Sequence, residues 1–276
     1  MNTQARRLCH LVLPMKEPNQ QTLLEISGLT KHFGGLPALD DVSFLAARGQ
    51  VTALIGPNGA GKTTLINCLT GVIRPDAGTI RFEGADIAGQ PAHRVARLGI
   101  TRTFQNLRIF PRLSLLDNVL CGLTVQAGAS FLQALLRPPG LRHRERRLKL
   151  MALEALDAFG LADQAGWPVG VLPYGDKKRV EMARAFVSQP VLTLLDEPVA
   201  GLNPEETATV AAFIRQMRLR GKTMILVEHD MELVMGVSDH VVVLDGGRGI
   251  AQGTPDAVRR NPLVIEAYLG RMSATA

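Results

Sequence analysis

The run Gly56-Pro57-Asn58-Gly59-Ala60-Gly61-Lys62-Thr63 constrains this chain more than any other part of it. It fits the pattern GxxxxGK[ST]. It falls between Val51–Ile55, an apolar run that reads as a buried strand, and Lys62–Thr70, whose apolar residues recur at helical spacing. A glycine-rich turn in that position curls the backbone so that its N–H groups converge, and the helix N-terminus behind it adds a favourable dipole for an anion. Lys62 would neutralise the β- and γ-phosphates of a nucleotide, and the Thr63 hydroxyl would ligate Mg²⁺. The competing reading is a glycine-rich turn that binds nothing. The strand before it and the helix after it favour the phosphate loop.

A second element points the same way. Val191-Leu192-Thr193-Leu194-Leu195 is an apolar strand that ends in Asp196-Glu197, where open α/β sheets place their sites. Asp196 would hold Mg²⁺ through water, and Glu197 would polarise an attacking water as general base. Taken alone, the pair is an acidic turn capping a buried strand. Around these two motifs the pattern predicts strands Leu23–Ile26 and Val42–Leu45 about a Gly34–Gly35 turn. Strand Gly78–Phe82, helix Gln90–Leu98 and strand Ile100–Thr103 follow. Helical spacing starts at Ser114, is interrupted by Gly128 and Pro138-Pro139-Gly140, and resumes over Arg142–Phe159 and Lys177–Val187. Helix Pro204–Arg220, strand Thr223–Glu228, helix Met231–Val237 and strand Val241–Leu244 complete the series. Strands alternating with helices imply an α/β fold with a parallel sheet covered on both faces.

Composition matters mainly for what it excludes. No apolar run reaches the roughly 18 residues of a membrane-spanning helix, so a membrane role would come through a partner. Leu8–Leu13 behind Arg6 and Arg7 is too short for a signal peptide and runs into Lys16 and Glu17, so Met1–Gln21 reads as an extension. Cys9, Cys68 and Cys121 are scattered and form no CxxC pair, which argues against disulfides or a zinc site and fits a reducing cytoplasm. The net charge of +6 suits nucleic acid, anionic lipid or nucleotide, but aromatics are 4% of the chain, too few for base-stacking platforms.

The order Gly56–Thr64, Gln105, Leu172–Asp176, Asp196–Glu197 and His229 resembles the ABC ATPase family from about Leu23 onward. The resemblance implies a P-loop, RecA-like parallel-sheet core with an N-terminal antiparallel β subdomain and an inserted helical subdomain at about 106–188. It implies one ATPase domain over 23–270, an extension at 1–22 and a tail at 271–276. It also assigns residues. Gly56, Pro57, Asn58, Gly59, Ala60, Gly61, Lys62, Thr63 and Thr64 bind ATP, and Phe33 stacks on adenine; read bare, Phe33 is a core phenylalanine beside a Gly–Gly turn. Thr63, Gln105 and Asp196 serve Mg²⁺, while Glu197, Gln105 and His229 serve catalysis, His229 sensing the γ-phosphate. Leu172, Pro173, Tyr174, Gly175 and Asp176 resemble the LSGGQ signature that closes over ATP bound to a second copy, departing from it at three positions. Asn203, in Ala200-Gly201-Leu202-Asn203, stands in the loop that crosses the dimer seam, where aspartate is usual.

Several local features resemble the ATPase subunits of branched-chain amino-acid importers. They are Arg102-Thr103-Phe104-Gln105, Tyr174-Gly175, Ala200-Gly201-Leu202-Asn203, Glu228-His229-Asp230-Met231, the basic insertion Gly128–Lys149, and the ending from Asn261-Pro262 to Tyr268-Leu269-Gly270. The partners implied are a second ATPase subunit, transmembrane permease subunits and a periplasmic or extracellular substrate-binding protein, with no nucleic acid. The place implied is the cytoplasmic face of the plasma membrane. Two other classes compete. A nucleic-acid maintenance or translation ABC protein would carry heptads or a tandem cassette, and a GTPase would carry an NKxD motif; neither is present. The tract Arg137, Arg142, His143, Arg144, Arg146, Arg147 and Lys149 reads either as a solvated helix or as a contact for anionic headgroups.

Overall fold

A computed structural model describes residues 22–105, 107–123 and 139–272. Residues 1–21 of the expected extension, Gly128, Arg137, Pro138 and the last four residues lie outside this described part, and Thr22, the expected end of the extension, already belongs to the first strand. Strands β1 (Thr22–Phe33) and β2 (Leu36–Ala47) form a hairpin closed by Gly34 and Gly35, whose φ angles of 55° and 85° suit glycine. With β4 (Ala77–Phe82) and β5 (Ala85–Asp86) they make an antiparallel sheet in the order β2-β1-β4-β5. The hairpin is far longer than its alternating pattern announces. Register shifts between Ile26 and Leu29 and again around Lys31 break the period of two, so sequence alternation fades while pairing continues.

The second sheet has the order β10-β9-β3-β8-β7-β6. Its strands are β3 (Val51–Ile55), β6 (Ile100–Arg102), β7 (Leu192–Asp196), β8 (Thr223–Val227), β9 (His240–Asp245) and β10 (Arg248–Gly253). All neighbours are parallel except β10 on β9. Every residue of β3, β7 and β8 is buried, the signature of central strands covered on both faces. Leu54 joins a core with Leu24, Phe44, Leu65 and Ile66, beneath the antiparallel sheet and helix α1 (Lys62–Leu69). Ala53 and Ile55 face the other way, against Val241, Val243, Val258 and Val264. Helix α2 (Ala92–Arg97) precedes β6.

A helical layer follows, with α3 (Leu115–Leu120), α4 (Pro139–Asp157) and α5 (Tyr174–Phe186). Its core joins Leu115, Leu156 and Val180 to Leu195 and Leu226 of the sheet and to Phe213 of α6 (Pro204–Leu219). Phe213 stacks with Phe159 at 4.2 Å and meets Phe186 edge-on at 5.1 Å between ring centroids. Helix α7 (Met231–Val237) has the predicted bounds. Helix α4 starts at Pro139, inside the predicted interruption, because proline suits a first helical position where its missing N–H is an orphan anyway. Strand β10 and helices α8 (Pro255–Arg259) and α9 (Pro262–Met272) carry too little periodicity to be read as elements from sequence.

Candidate active site

Because β3, β6, β7 and β8 run parallel, the segments leaving their C-terminal ends gather along one edge of the sheet. These are the Gly56–Gly61 loop, Thr103–Gln105, Asp196–Glu197 and Glu228–His229. The edge follows from topology: β3 and β7 are 141 residues apart at Val51 and Leu192 but are separated by β8 alone. The loop itself is tightly housed. A Cβ on Gly56 would lie 2.1 Å from the Leu244 carbonyl oxygen, and one on Gly61 would lie 2.5 Å from that of Ala38. Both glycines also have positive φ, 147° and 98°. The Ala60 N–H donates to the Pro57 carbonyl at 3.2 Å and the Gly247 N–H to that of Ala60 at 3.2 Å, so the loop is fixed from within and by the turn after β9. Lys62, the first residue of α1, donates its ammonium to the carbonyls of Gly56 at 2.6 Å and Pro57 at 3.0 Å. Thr63 is exposed at the same turn.

Asp196 and Glu197 diverge. Asp196 is buried, and its Oδ2 accepts from Arg102 at 2.7 Å, while Arg102 also donates to Asn67 Oδ1 of α1 at 2.7 Å. The Asp196 N–H donates to the Thr103 hydroxyl at 3.1 Å. Glu197 instead has φ 47°, an uncommon left-handed backbone for a side chain of its size, and its N–H donates to the Val227 carbonyl at 2.9 Å. Its Oε2 accepts from Gln105 Nε2 at 2.9 Å, which brings together two residues predicted for the same chemistry. Arg102 is the partner of Asp196 that sequence reasoning missed. It sits on the neighbouring strand, opposite Leu194, and no local pattern marks a contact across 94 positions. Glu228 is fully buried, accepts from the N–H groups of Val199 and His229, and has its carboxyl pushed above the usual range by desolvation. His229 is mostly exposed, its Nδ1 3.8 Å from the Glu228 carboxylate.

Phe33 and the signature residues stand apart from this cluster. Phe33, half exposed at the end of β1, has the Lys31 ammonium 5.6 Å from its ring centroid. Leu172 is buried in the helical core, whereas Tyr174 is exposed at the start of α5. Pro173 is the extended N-cap residue of α5 (φ −56°, ψ 161°) and offers no side-chain cap. Asp176 is paired with Arg179 one turn on, while Lys178 turns inward. Asn203 caps α6 by accepting from the Glu206 N–H at 2.9 Å, and Glu206 returns a bond from the Asn203 N–H at 3.0 Å. A Cβ on Gly175 would lie 2.0 Å from Glu206 Oε1, so the signature loop abuts this cap.

Residues 39–200, more than half of the chain and including the phosphate loop and Asp196–Glu197, match the family model described as ABC transporter. The chain belongs to the ABC transporter family. This cassette is thereby an ATPase of a family that hydrolyses ATP to power transport. Residues 250–273, which include the end of β10 and the two helices the pattern did not announce, match a second model, the branched-chain amino acid ATP-binding cassette transporter. The cassette is 45% identical over 249 residues to the high-affinity branched-chain amino acid transport ATP-binding protein BraF of Pseudomonas aeruginosa, covering 90% of this chain and 98% of the relative. It is 42% identical over 251 residues to LivG of Escherichia coli K12, of the same description, covering 91% and 98%. Among solved structures, an ATP-binding cassette of an ABC transporter in its ADP conformation aligns with a TM-score of 0.78 at 32% identity, covering 90% and 99%. A nucleotide-free cassette aligns at 0.77 and 31%, covering 90% and 98%.

Proposed function

We propose that this cassette is the ATP-hydrolysing subunit of an importer for branched-chain or other hydrophobic amino acids, working as a head-to-tail pair with a second ATPase subunit. The observation that carries the catalytic part is the 2.9 Å bond between Gln105 and Glu197 at the edge where the phosphate loop opens. Lys62 and the loop N–H groups hold the phosphates, Phe33 stacks on adenine, and Glu197 takes the proton of the attacking water. Gln105 orients that carboxylate by donating to one of its oxygens, which leaves the proton-accepting role to the other. His229 faces solvent beside Glu228 and is available to the γ-phosphate.

The donor set suits Mg²⁺: the Thr63 hydroxyl, the Asp196 carboxylate and the Gln105 amide oxygen are hard ligands, too few to make a cage without phosphate oxygens and water. Among the described residues no cluster of three or more His, Cys, Asp or Glu could hold a metal alone, which fits a shared site. When bound, Mg²⁺ supplies charge neutralisation on the β- and γ-phosphate oxygens. Arg102 holds Asp196 in place by pairing with one of its two oxygens.

Leu172–Asp176 and Asn203 complete the site of the other copy, consistent with the exposed, outward-facing loop at the start of α5. Among the described residues no helix is long and apolar enough to cross a membrane. In this reading coupling runs through permease subunits at the cytoplasmic face, supplied by a substrate-binding protein, and the relatives' transport of branched-chain amino acids supports that substrate class. A groove of about 720 Å³ beside the Gln105 segment, lined by Val72, Phe104, Phe110 and Gly122 among others, is a fitting dock for a permease loop. The decisive experiment is Glu197→Gln. Turnover should fall by about 10²–10⁴-fold while ATP affinity persists and an ATP-bound dimer accumulates on size exclusion. Turnover like that of the unmodified chain would remove Glu197 from the role of base.

A further inference from the structure

Helix α5 carries a charged pair where an apolar pair would pack at lower cost. Lys178 and Glu181 lie one turn apart, each about 1% exposed, with Nζ 3.9 Å from Oε2. That Glu181 oxygen accepts no hydrogen bond, so the neighbouring ammonium offsets its buried charge. Burial pushes the Glu181 carboxyl up, and Lys178 pulls it back. Such a pair is weak evidence for stability, because well-packed apolar residues in its place are often neutral or stabilising.

The polar contacts of the pair have a direction. Lys178 Nζ donates to the carbonyl of Gln105 and to the carbonyl of Glu197, each at 3.4 Å. Glu181 Oε1 accepts from the N–H of Phe104 at 3.3 Å and of Arg108 at 3.5 Å. Arg184, one turn further, is 3.9 Å from the same oxygen and donates to the Arg108 carbonyl. One face of α5 is thus bonded to the backbone on both sides of Gln105 and to the backbone of Glu197. The opposite end of the same helix begins at Tyr174, directly after Leu172–Pro173. Glu197 needs such support, since its left-handed φ of 47° is intrinsically unfavourable and its backbone is otherwise held by two bonds, its N–H to the Val227 carbonyl and its carbonyl from the Ala200 N–H.

We infer that Lys178 and Glu181 are positioning residues that tie the signature helix to Glu197 and Gln105 of the same chain. A shift of α5 when its signature loop engages a second copy then moves the catalytic carboxylate of its own site. This inference rests on the reading of Glu197 as general base.

The test uses the full chain with ATP and Mg²⁺. Lys178→Met alone strands the Glu181 charge and costs stability, so the double variant Lys178→Met/Glu181→Gln is the informative one: its amide oxygen still accepts from Phe104 and Arg108. It should melt close to the unmodified chain and bind ATP equally well, yet turn over about ten- to a hundredfold more slowly, as expected when a reacting group is displaced by a fraction of an ångström to 1 Å. Lys178→Arg, which keeps a charged donor, should retain most of the turnover. Unchanged turnover in the folded double variant overturns the inference, as does a fall in ATP affinity that accounts for the lost activity, or loss of turnover in Lys178→Arg equal to that of the double. Glu197→Gln assayed alongside separates the two readings. If it stays active the base assignment fails; if it is inactive while the double variant is not, the tether alone fails.

Discussion

The phosphate loop and the signature loop are both glycine-containing entries to helices, yet they are built in opposite ways. Gly56–Gly61 is enclosed: backbone oxygens of Leu244 and Ala38 stand where side chains would be, and Lys62 bonds to the loop's own carbonyls. Leu172–Asp176 is open on its outer side, with Tyr174 and the preceding Val171 exposed and an N-cap residue that provides no cap. A Cβ on its Gly175 would meet only the movable end of the Glu206 side chain. Under the proposed roles, a loop that holds a triphosphate by itself is made rigid by backbone, and a loop that acts on a second molecule is left with the freedom to adjust.

The sharpest way to break that contrast is to add one methyl to each. Gly56→Ala meets a carbonyl oxygen in a backbone conformation that L-residues avoid, and nothing flexible can yield. We expect about 3 kcal/mol or more of lost stability together with loss of ATP binding, read by thermal melts and nucleotide titration. Gly175→Ala meets only a side chain, so Glu206 should swing away and give up its half of the capping box with Asn203. The cost should be about 1 kcal/mol in the melt, with ATP affinity of the monomer intact and ATP-driven dimerisation weakened. Equal losses of ATP binding in the two variants would show that the contrast between the loops is mistaken.

A smaller effect sharpens the same comparison at Pro173. A serine there would add a hydroxyl that can accept from the Asp176 N–H as an N-cap and donate its proton to a γ-phosphate across the dimer. In a Glu197→Gln background, Pro173→Ser should tighten ATP-driven dimerisation about tenfold, measured by sedimentation at matched ATP. An unchanged dimer constant would leave recognition of the phosphate to the loop's backbone N–H groups.

Much of this was legible in the sequence because it is local. A strand, a GxxxxGK[ST] turn and a helix are contiguous, so Gly56–Thr63 announced its shape, and β3 and α7 appeared at their predicted bounds. The apolar strand ending in Asp196-Glu197 was equally plain, since a central strand covered on both faces must be apolar throughout. The parallel core and the inserted helices followed from the alternation of periods. The long hairpin was only half visible, because its bulges reset the alternation that marks a strand. The terminal elements β10, α8 and α9 were invisible to periodicity and emerged only from packing against β9 and its neighbours.

What tertiary structure alone decided were the contacts between elements far apart in the chain. Nothing near Asp196 predicts that Arg102 would pair with it, nothing near Gln105 that its amide would reach Glu197, and nothing in α5 that Lys178 would point inward to two distant carbonyls. Sequence sets residue type and local backbone preference, which act over a few positions. The order of strands in the sheet sets which of those residues meet, because pairing β6 with β7 and β7 with β8 brings side chains some 90 positions apart within hydrogen-bond distance.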